Sequence, residues 1–186
     1  DDCDDPLGFA FDRCFQRQAA PQAGRARTRR IAATLASEGL EAVPRAYRVV
    51  SVGCGPATDI ARGVGVLPED RRQQLTVVLL DMDPDALEFA RGPLEPLLPA
   101  GALVCVRENL ARLASRPEAA QAMAGADLLV CSGLFDYLAD AAAAEMLGLF
   151  WRQLAEGGLM LVGNFAPHNP TDRKSTRLNS SHVSQS

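Results

Sequence analysis

One stretch constrains this chain more than any other: Tyr47-Arg48-Val49-Val50-Ser51-Val52-Gly53-Cys54-Gly55-Pro56-Ala57-Thr58-Asp59. Arg48–Val52 is rich in β-branched residues and reads as a buried strand. Gly53 and Gly55 then let the backbone turn sharply and approach a ligand with no Cβ in the way. Pro56 suits the first turn of a following helix, where its missing N–H costs no bond. The exposed N–H groups of such a helix start receive anions. A parallel strand delivers this turn to the carboxyl edge of a sheet, where open α/β folds bind their ligands.

After Pro44 short aliphatic runs alternate with helical segments. The expected strands are Arg48–Val52, Leu75–Leu80, Leu103–Arg107, Asp127–Cys131 and Leu159–Gly163. Between them lie helices over Pro56–Val64, Pro84–Arg91, Arg116–Ala124 and Ala139–Ala155, the last ended by Gly157-Gly158. This alternation predicts βαβ units, hence an α/β fold with a mostly parallel sheet and helices on both faces. Two helical segments precede it. The first, Leu7 to about Gln18, carries Phe9, Phe11, Cys14 and Phe15 and is broken by Pro21; the second, Gln22 to Leu40, carries Ile31 and Leu35. Arg25, Arg27, Arg29 and Arg30 form either a solvated face, a surface for an anionic substrate or carrier, or, third, a nucleic-acid contact. The domain reading is a helical extension over 1–44, a cofactor-binding domain over 45–173 and a tail over 174–186. That tail has five serines and no periodicity; it is either a disordered segment or translated adapter sequence fused to a shortened reading frame.

Composition narrows the function classes. The 186 residues are 47% hydrophobic and 23% charged, enough for one domain with a real core. A net charge of −4 argues against a nucleic-acid partner. Cys3, Cys14, Cys54, Cys105 and Cys131 are scattered, with no paired metal-ligand spacing, so they read as reduced thiols of a cytoplasmic protein and no metal is expected. No apolar run is long enough to span a bilayer, and no secretory signal opens the chain, which begins without methionine. Oligomeric state is not legible.

The second strand ends in Asp81, one βα unit after the glycine turn. A carboxylate there can accept both hydroxyls of a ribose, so an adenosine-containing cofactor is the ligand class. Met82 is placed to lie against the adenine, while Asp83 reads as the cap of the helix starting at Pro84. Asp59 sits where it meets either the helix dipole or a cofactor ammonium. A nicotinamide cofactor is disfavoured, because Thr58 stands where its fingerprint needs a third glycine. Glu108-Asn109-Leu110 follows the third strand, within reach of the adenine amine. Ser132-Gly133-Leu134-Phe135-Asp136-Tyr137 follows the fourth, where Asp136 and Tyr137 are polar groups in an apolar segment and hence candidate contacts.

In order and spacing these segments resemble the class I S-adenosylmethionine-dependent methyltransferases from Val49 to about Arg173. Val52-Gly53-Cys54-Gly55-Pro56 resembles the first motif of that family, Asp81 the second, Glu108-Asn109-Leu110 the third, Asp127–Tyr137 the fourth and Gly157–Val162 the fifth. Ser132–Leu138 with Gly163-Asn164-Phe165-Ala166-Pro167-His168-Asn169-Pro170 is similar to the bacterial methyltransferases that make 3-hydroxypalmitic acid methyl ester, a quorum signal. The resemblance implies a Rossmann-like fold with S-adenosylmethionine held by Gly53, Cys54, Gly55, Pro56, Asp59, Asp81, Met82, Asn109, Leu110 and Ser132. It implies a fatty-acid-like small-molecule substrate against Phe135 and Asn164, with Asp136, Tyr137 and His168 at the reaction. Two departures are Ser51, where many members carry an acid, and Ala57, where a third glycine is common. Seven strands are usual in that family and five are countable here, so C-terminal strands are expected to be missing. The rival readings are a methyltransferase for another small molecule, a non-catalytic cofactor-binding domain, and a nicotinamide oxidoreductase.

Overall fold

The computed structural model describes residues 6–41 and 46–164. The chain divides into two compact units, described separately. In the first, helix α1 (Pro6–Gln16) is followed by the start of α2 (Ala19–Glu41). Arg25 donates from its guanidinium to the Gln16 side chain and to the Gln16 carbonyl, tying that start back to α1. Pro21 was expected to break the first helical segment; α1 ends earlier, at Gln16, and Pro21 lies in the first turn of α2, where a proline loses no intrahelical bond. Leu7, Phe9, Phe11 and Phe15 of α1 are exposed. No helix among the described residues is long and apolar enough to cross a membrane.

The second unit begins at Thr28 and is built on a five-stranded sheet. The strands are β1 (Tyr47–Val52), β2 (Leu75–Asp81), β3 (Leu103–Arg107), β4 (Ala126–Cys131) and β5 (Leu154–Val162), in the order β3-β2-β1-β4-β5. Every neighbouring pair is parallel. Between strands run α3 (Thr58–Gly65), α4 (Glu69–Arg72), α5 (Pro84–Leu94), α6 (Pro117–Ala122) and α7 (Asp140–Gln153), with short 3-10 turns at Glu95–Leu97, Leu110–Ser115 and Phe135–Tyr137. This is the mostly parallel, Rossmann-like arrangement that the alternation predicts.

The two-residue period of the strands sorts their side chains onto two layers. Val49, Val77, Leu79, Leu128 and Val130 face Ile31 and Leu35 of α2, Ile60 and Val64 of α3, and Leu87 and Leu94 of α5. Val50, Val52, Val78, Leu80, Leu129 and Cys131 face Leu113, Met123, Met146, Leu149 and Phe150. The rear half of α2 therefore belongs to the core layer. There α3 presses close: a Cβ on Gly63 would stand 3.0 Å from the Ala32 carbonyl oxygen and 3.0 Å from the Leu35 Cβ. At the amino edge, buried Asp127 accepts the Arg48 backbone N–H at 2.7 Å and so locks β4 to β1.

Two expectations are corrected. The Gly157-Gly158 pair does not end α7, which stops at Gln153; both glycines lie inside β5. The register jumps from Ala126↔Leu154 to Leu128↔Leu159, a bulge in β5. A Cβ at Gly158 would stand 2.6 Å from the Ala126 carbonyl oxygen, so the pair serves a close backbone approach rather than a helix stop. Pro56 likewise lies outside its expected helix. It is exposed in the turn, and α3 starts at Thr58.

The fully buried Phe150 meets Phe135 edge-on, with ring centroids 6.2 Å apart at 70°. Phe150→Ala is expected to lower unfolding stability by about 3–5 kcal/mol, the usual cost of truncating a core aromatic. Urea denaturation followed by circular dichroism measures it, and a loss under about 1 kcal/mol would contradict this packing.

Candidate functional site

The sheet order brings the carboxyl ends of β3, β2, β1, β4 and β5 into one row. The β1–β2 register ends at Val52↔Leu80, which sets Gly53 opposite Asp81. Residues 28 apart in sequence thereby become neighbours. The Gly53 and Cys54 N–H groups both donate to the Leu80 carbonyl, at 2.8 and 3.2 Å, so the turn is anchored to β2 as it leaves β1. The Gly55 N–H donates to Asp81 Oδ2 at 2.8 Å, and the Asp83 N–H donates to Asp81 Oδ1 at 3.0 Å. Asp83 in turn caps α5 by accepting the Asp85 N–H at 3.0 Å, with Pro84 opening the helix. The capping role expected for Asp83 is therefore present.

The turn itself alternates in hand. Gly53, Gly55 and Ala57 have φ of 62°, 51° and 46°. The first two are glycines, for which this conformation is easy. Ala57 is not, and a left-handed residue with a Cβ costs about 1–2 kcal/mol. Ala57 is buried, its N–H donates to the Cys54 carbonyl at 3.0 Å, and its own carbonyl accepts the Ala61 N–H at 2.9 Å as the first bond of α3. Local propensity does not mark Ala57 as strained, since alanine reads as a good helix former; the one signal is that it stands where the resembled family commonly has a glycine. Asp59, in the first turn of α3, accepts the N–H of Ile60 at 2.9 Å.

Leu110 was placed among the cofactor contacts. Its side chain is buried beneath the turn: a Cβ on Gly53 would come within 3.3 Å of Leu110 Cδ1. Leu110 thus shapes the site by supporting Gly53 from below. Asn109 and Met82 are exposed at the ends of β3 and β2. The Glu108 N–H donates to the Asp81 carbonyl at 3.0 Å, which carries the β2–β3 pairing one residue past the strand. Ser132 is half-buried at the end of β4. Phe135 is buried in the core, whereas Asp136 is exposed and Tyr137 is 85% exposed. Asn164 is exposed one residue after Gly163, whose N–H donates to the Cys131 carbonyl at 2.9 Å; this places Asn164 next to the Ser132 segment. His168 lies outside the described residues. Among the described residues no cluster of three or more His, Cys, Asp or Glu could hold a metal ion.

Burial, and after it the Asp81 carboxylate, pushes the Cys54 thiol up to about 12. Cys54 is therefore a neutral wall of the turn rather than a nucleophile. Burial does the same to Cys131, also to about 12. An unfolded cysteine ionises at about 8.5. From there up to about 12 the unfolded chain has lost a proton that the folded chain keeps, so folding stability falls as the pH rises. The urea midpoint is expected to drop between about pH 8 and about pH 10. In Cys54→Ala the drop should be smaller but present, because Cys131 remains. Gly53→Ala should cost about 1–2 kcal/mol of stability at any pH for its left-handed backbone alone, read from the same urea curves.

No protein-family model matches the chain. No curated protein sequence matches it. Solved structures do. The chain is similar to a possible exported protein from Bordetella parapertussis, at 26% identity and TM-score 0.65 over 85% of this chain and 47% of that one. It is similar to an O-methyltransferase family protein from Burkholderia thailandensis, at 19% identity and TM-score 0.55 over 83% of this chain and 43% of that one. It is also similar to an S-adenosylmethionine-dependent methyltransferase from Thiobacillus denitrificans in complex with S-adenosyl-L-homocysteine, at 20% identity and TM-score 0.53 over 81% and 54%. The chain thus spans about half the length of these proteins. What it shares with them is the Rossmann-like fold, which in two of the three carries a methyltransferase.

Proposed function

We propose that the chain is the cofactor-binding part of an S-adenosylmethionine-dependent methyltransferase that esterifies the carboxylate of a 3-hydroxy fatty acid. The observation that carries the cofactor is the Asp81 carboxylate facing the Gly53–Gly55 turn across β1 and β2, with Gly55 N–H on its Oδ2 at 2.8 Å. A carboxylate has about four acceptor positions, and backbone N–H groups fill two of these. The rest are left for the two hydroxyls of a ribose. Gly53, Cys54, Gly55 and Pro56 would line the methionine end, beside the start of α3 and Asp59. Met82, Asn109 and Ser132 would flank the adenosine, with Leu110 supporting the turn. The methyltransferases similar in fold support this reading.

The acceptor follows from the resemblance of Ser132–Leu138 and Gly163–Pro170 to the 3-hydroxy fatty acid enzymes. Asp136, Tyr137, Asn164 and His168 would line the acceptor side, with Phe135 packed behind them. The chemistry makes few demands. A carboxylate oxygen attacks the methyl carbon in line, a C–O bond forms and the C–S bond breaks. The products are an ester and S-adenosylhomocysteine, and no proton moves. The sulfonium is already a good leaving group, so placement and exclusion of water supply most of the acceleration. That suits a site whose described thiols are held neutral.

Calorimetry with S-adenosylmethionine tests the donor. Asp81→Ala is expected to weaken binding about 10–100-fold, the loss of hydrogen bonds to a charged group. Absence of binding by the unsubstituted protein would sink the donor assignment. Transfer of labelled methyl groups to 3-hydroxy fatty acids, set against polar metabolites, tests the acceptor; label confined to the polar fraction would reject a fatty-acid substrate.

A further inference from the structure

We infer that Asp81 is a positioning residue for the glycine turn: its carboxylate holds the turn in its ligand-receiving shape before any ligand arrives. This deepens the S-adenosylmethionine reading and rests on it only for what the turn receives. The tie itself is a matter of geometry.

The turn places every second residue, Gly53, Gly55 and Ala57, in the left-handed region. Backbone acceptors hold Gly53 and Cys54 through the Leu80 carbonyl, and Ala57 through the Cys54 carbonyl. At the middle of the turn the acceptor is instead a side chain. Gly55 donates to Asp81 Oδ2 at 2.8 Å, across 26 residues of sequence. The second carboxylate oxygen accepts the Asp83 N–H at 3.0 Å. One carboxylate therefore joins the turn after β1 to the turn after β2. Asp83 repeats the device on Asp85 at 3.0 Å, which extends the tie to the start of α5. Charged acceptors make the stronger class of hydrogen bond, and a turn that includes a strained alanine needs its partners to over-determine it. Losing the carboxylate would release Gly55 and with it the spacing between the turn and Asp81 that a ribose must bridge.

Asparagine is the discriminating replacement. It keeps the shape but offers one acceptor oxygen, so it cannot serve the Gly55 and Asp83 N–H groups together. In the ligand-free protein, Asp81→Asn is expected to speed amide hydrogen exchange at Gly55 or Asp83 about tenfold or more, while Val78 and Leu129 in the sheet keep their protection. In the unsubstituted protein, a scalar coupling across the hydrogen bond from the Gly55 nitrogen to the Asp81 side-chain carboxyl carbon should be detectable by NMR. Unchanged exchange at both amides in a folded Asp81→Asn protein would overturn the inference. A rise shared equally by Val78 and Leu129 would do the same, since it reports general loss of stability. Should Asp81→Asn fail to fold, the coupling decides, and its absence overturns the tie. Calorimetry with S-adenosylhomocysteine keeps the two claims apart. No binding there rejects the cofactor reading and leaves the ligand-free exchange result standing.

Discussion

Everything in this unit depends on the confinement of β1. It has a parallel partner on each edge, β2 and β4, and an apolar layer on each face. Val49, Val50 and Val52 are fully buried. A strand held on four sides cannot slide or tilt, because a shift of one residue would exchange its two faces. The end of β1 is thus fixed in space, and the turn that leaves it inherits that precision. Asp127, accepting the Arg48 N–H at the other end of the strand, fixes the register where β1 begins.

The site is a balance between a strained turn and the groups that hold it. Left-handed residues at Gly53, Gly55 and Ala57 bend the chain tightly enough to start α3 within five residues of Gly53. Two neighbouring strands supply the restraints: Leu80 and Asp81 from β2 above all, with Leu110 after β3 closing the space beneath Gly53. The glycine turn is therefore held by three strand ends packed against one another. The ends of β4 and β5 are different. Asp136, Tyr137 and Asn164 are exposed at the ends of β4 and β5, and only Phe135 is rooted in the core.

Much of the fold was legible because strands buried on both faces leave a strong local mark. Val49-Val50-Ser51-Val52, Val77-Val78-Leu79-Leu80 and Leu128-Leu129-Val130-Cys131 admit little but a central parallel strand. The Asp83-Pro84 helix start was legible for the same kind of reason, since a cap and a proline act within a few residues. The misreadings share a cause. Gly157-Gly158 reads as a helix stop, yet Gly158 exists for the approach of the Ala126 carbonyl, a contact made by another strand. Pro56 reads as a helix start, yet the turn runs on through a left-handed Ala57 and α3 starts only at Thr58. Packing also shows what no local pattern does, that the side chains of Phe135 and Leu110 are buried.

The sequence by itself determined the strand-turn-helix at Tyr47–Asp59, the alternation that makes a parallel sheet, and the presence of an acid at the end of the second strand. Each depends on residue types within about one βα unit, and short-range sterics and period-two burial are enough to express them. Tertiary structure alone decided that Asp81 reaches back 26 residues to the Gly55 N–H, that Ala57 is strained, and that the thiol of Cys54 stays protonated. Those outcomes depend on which strand lies beside which and on how much water the packing excludes. Neither the order β3-β2-β1-β4-β5 nor a local dielectric is written in any single segment of the chain.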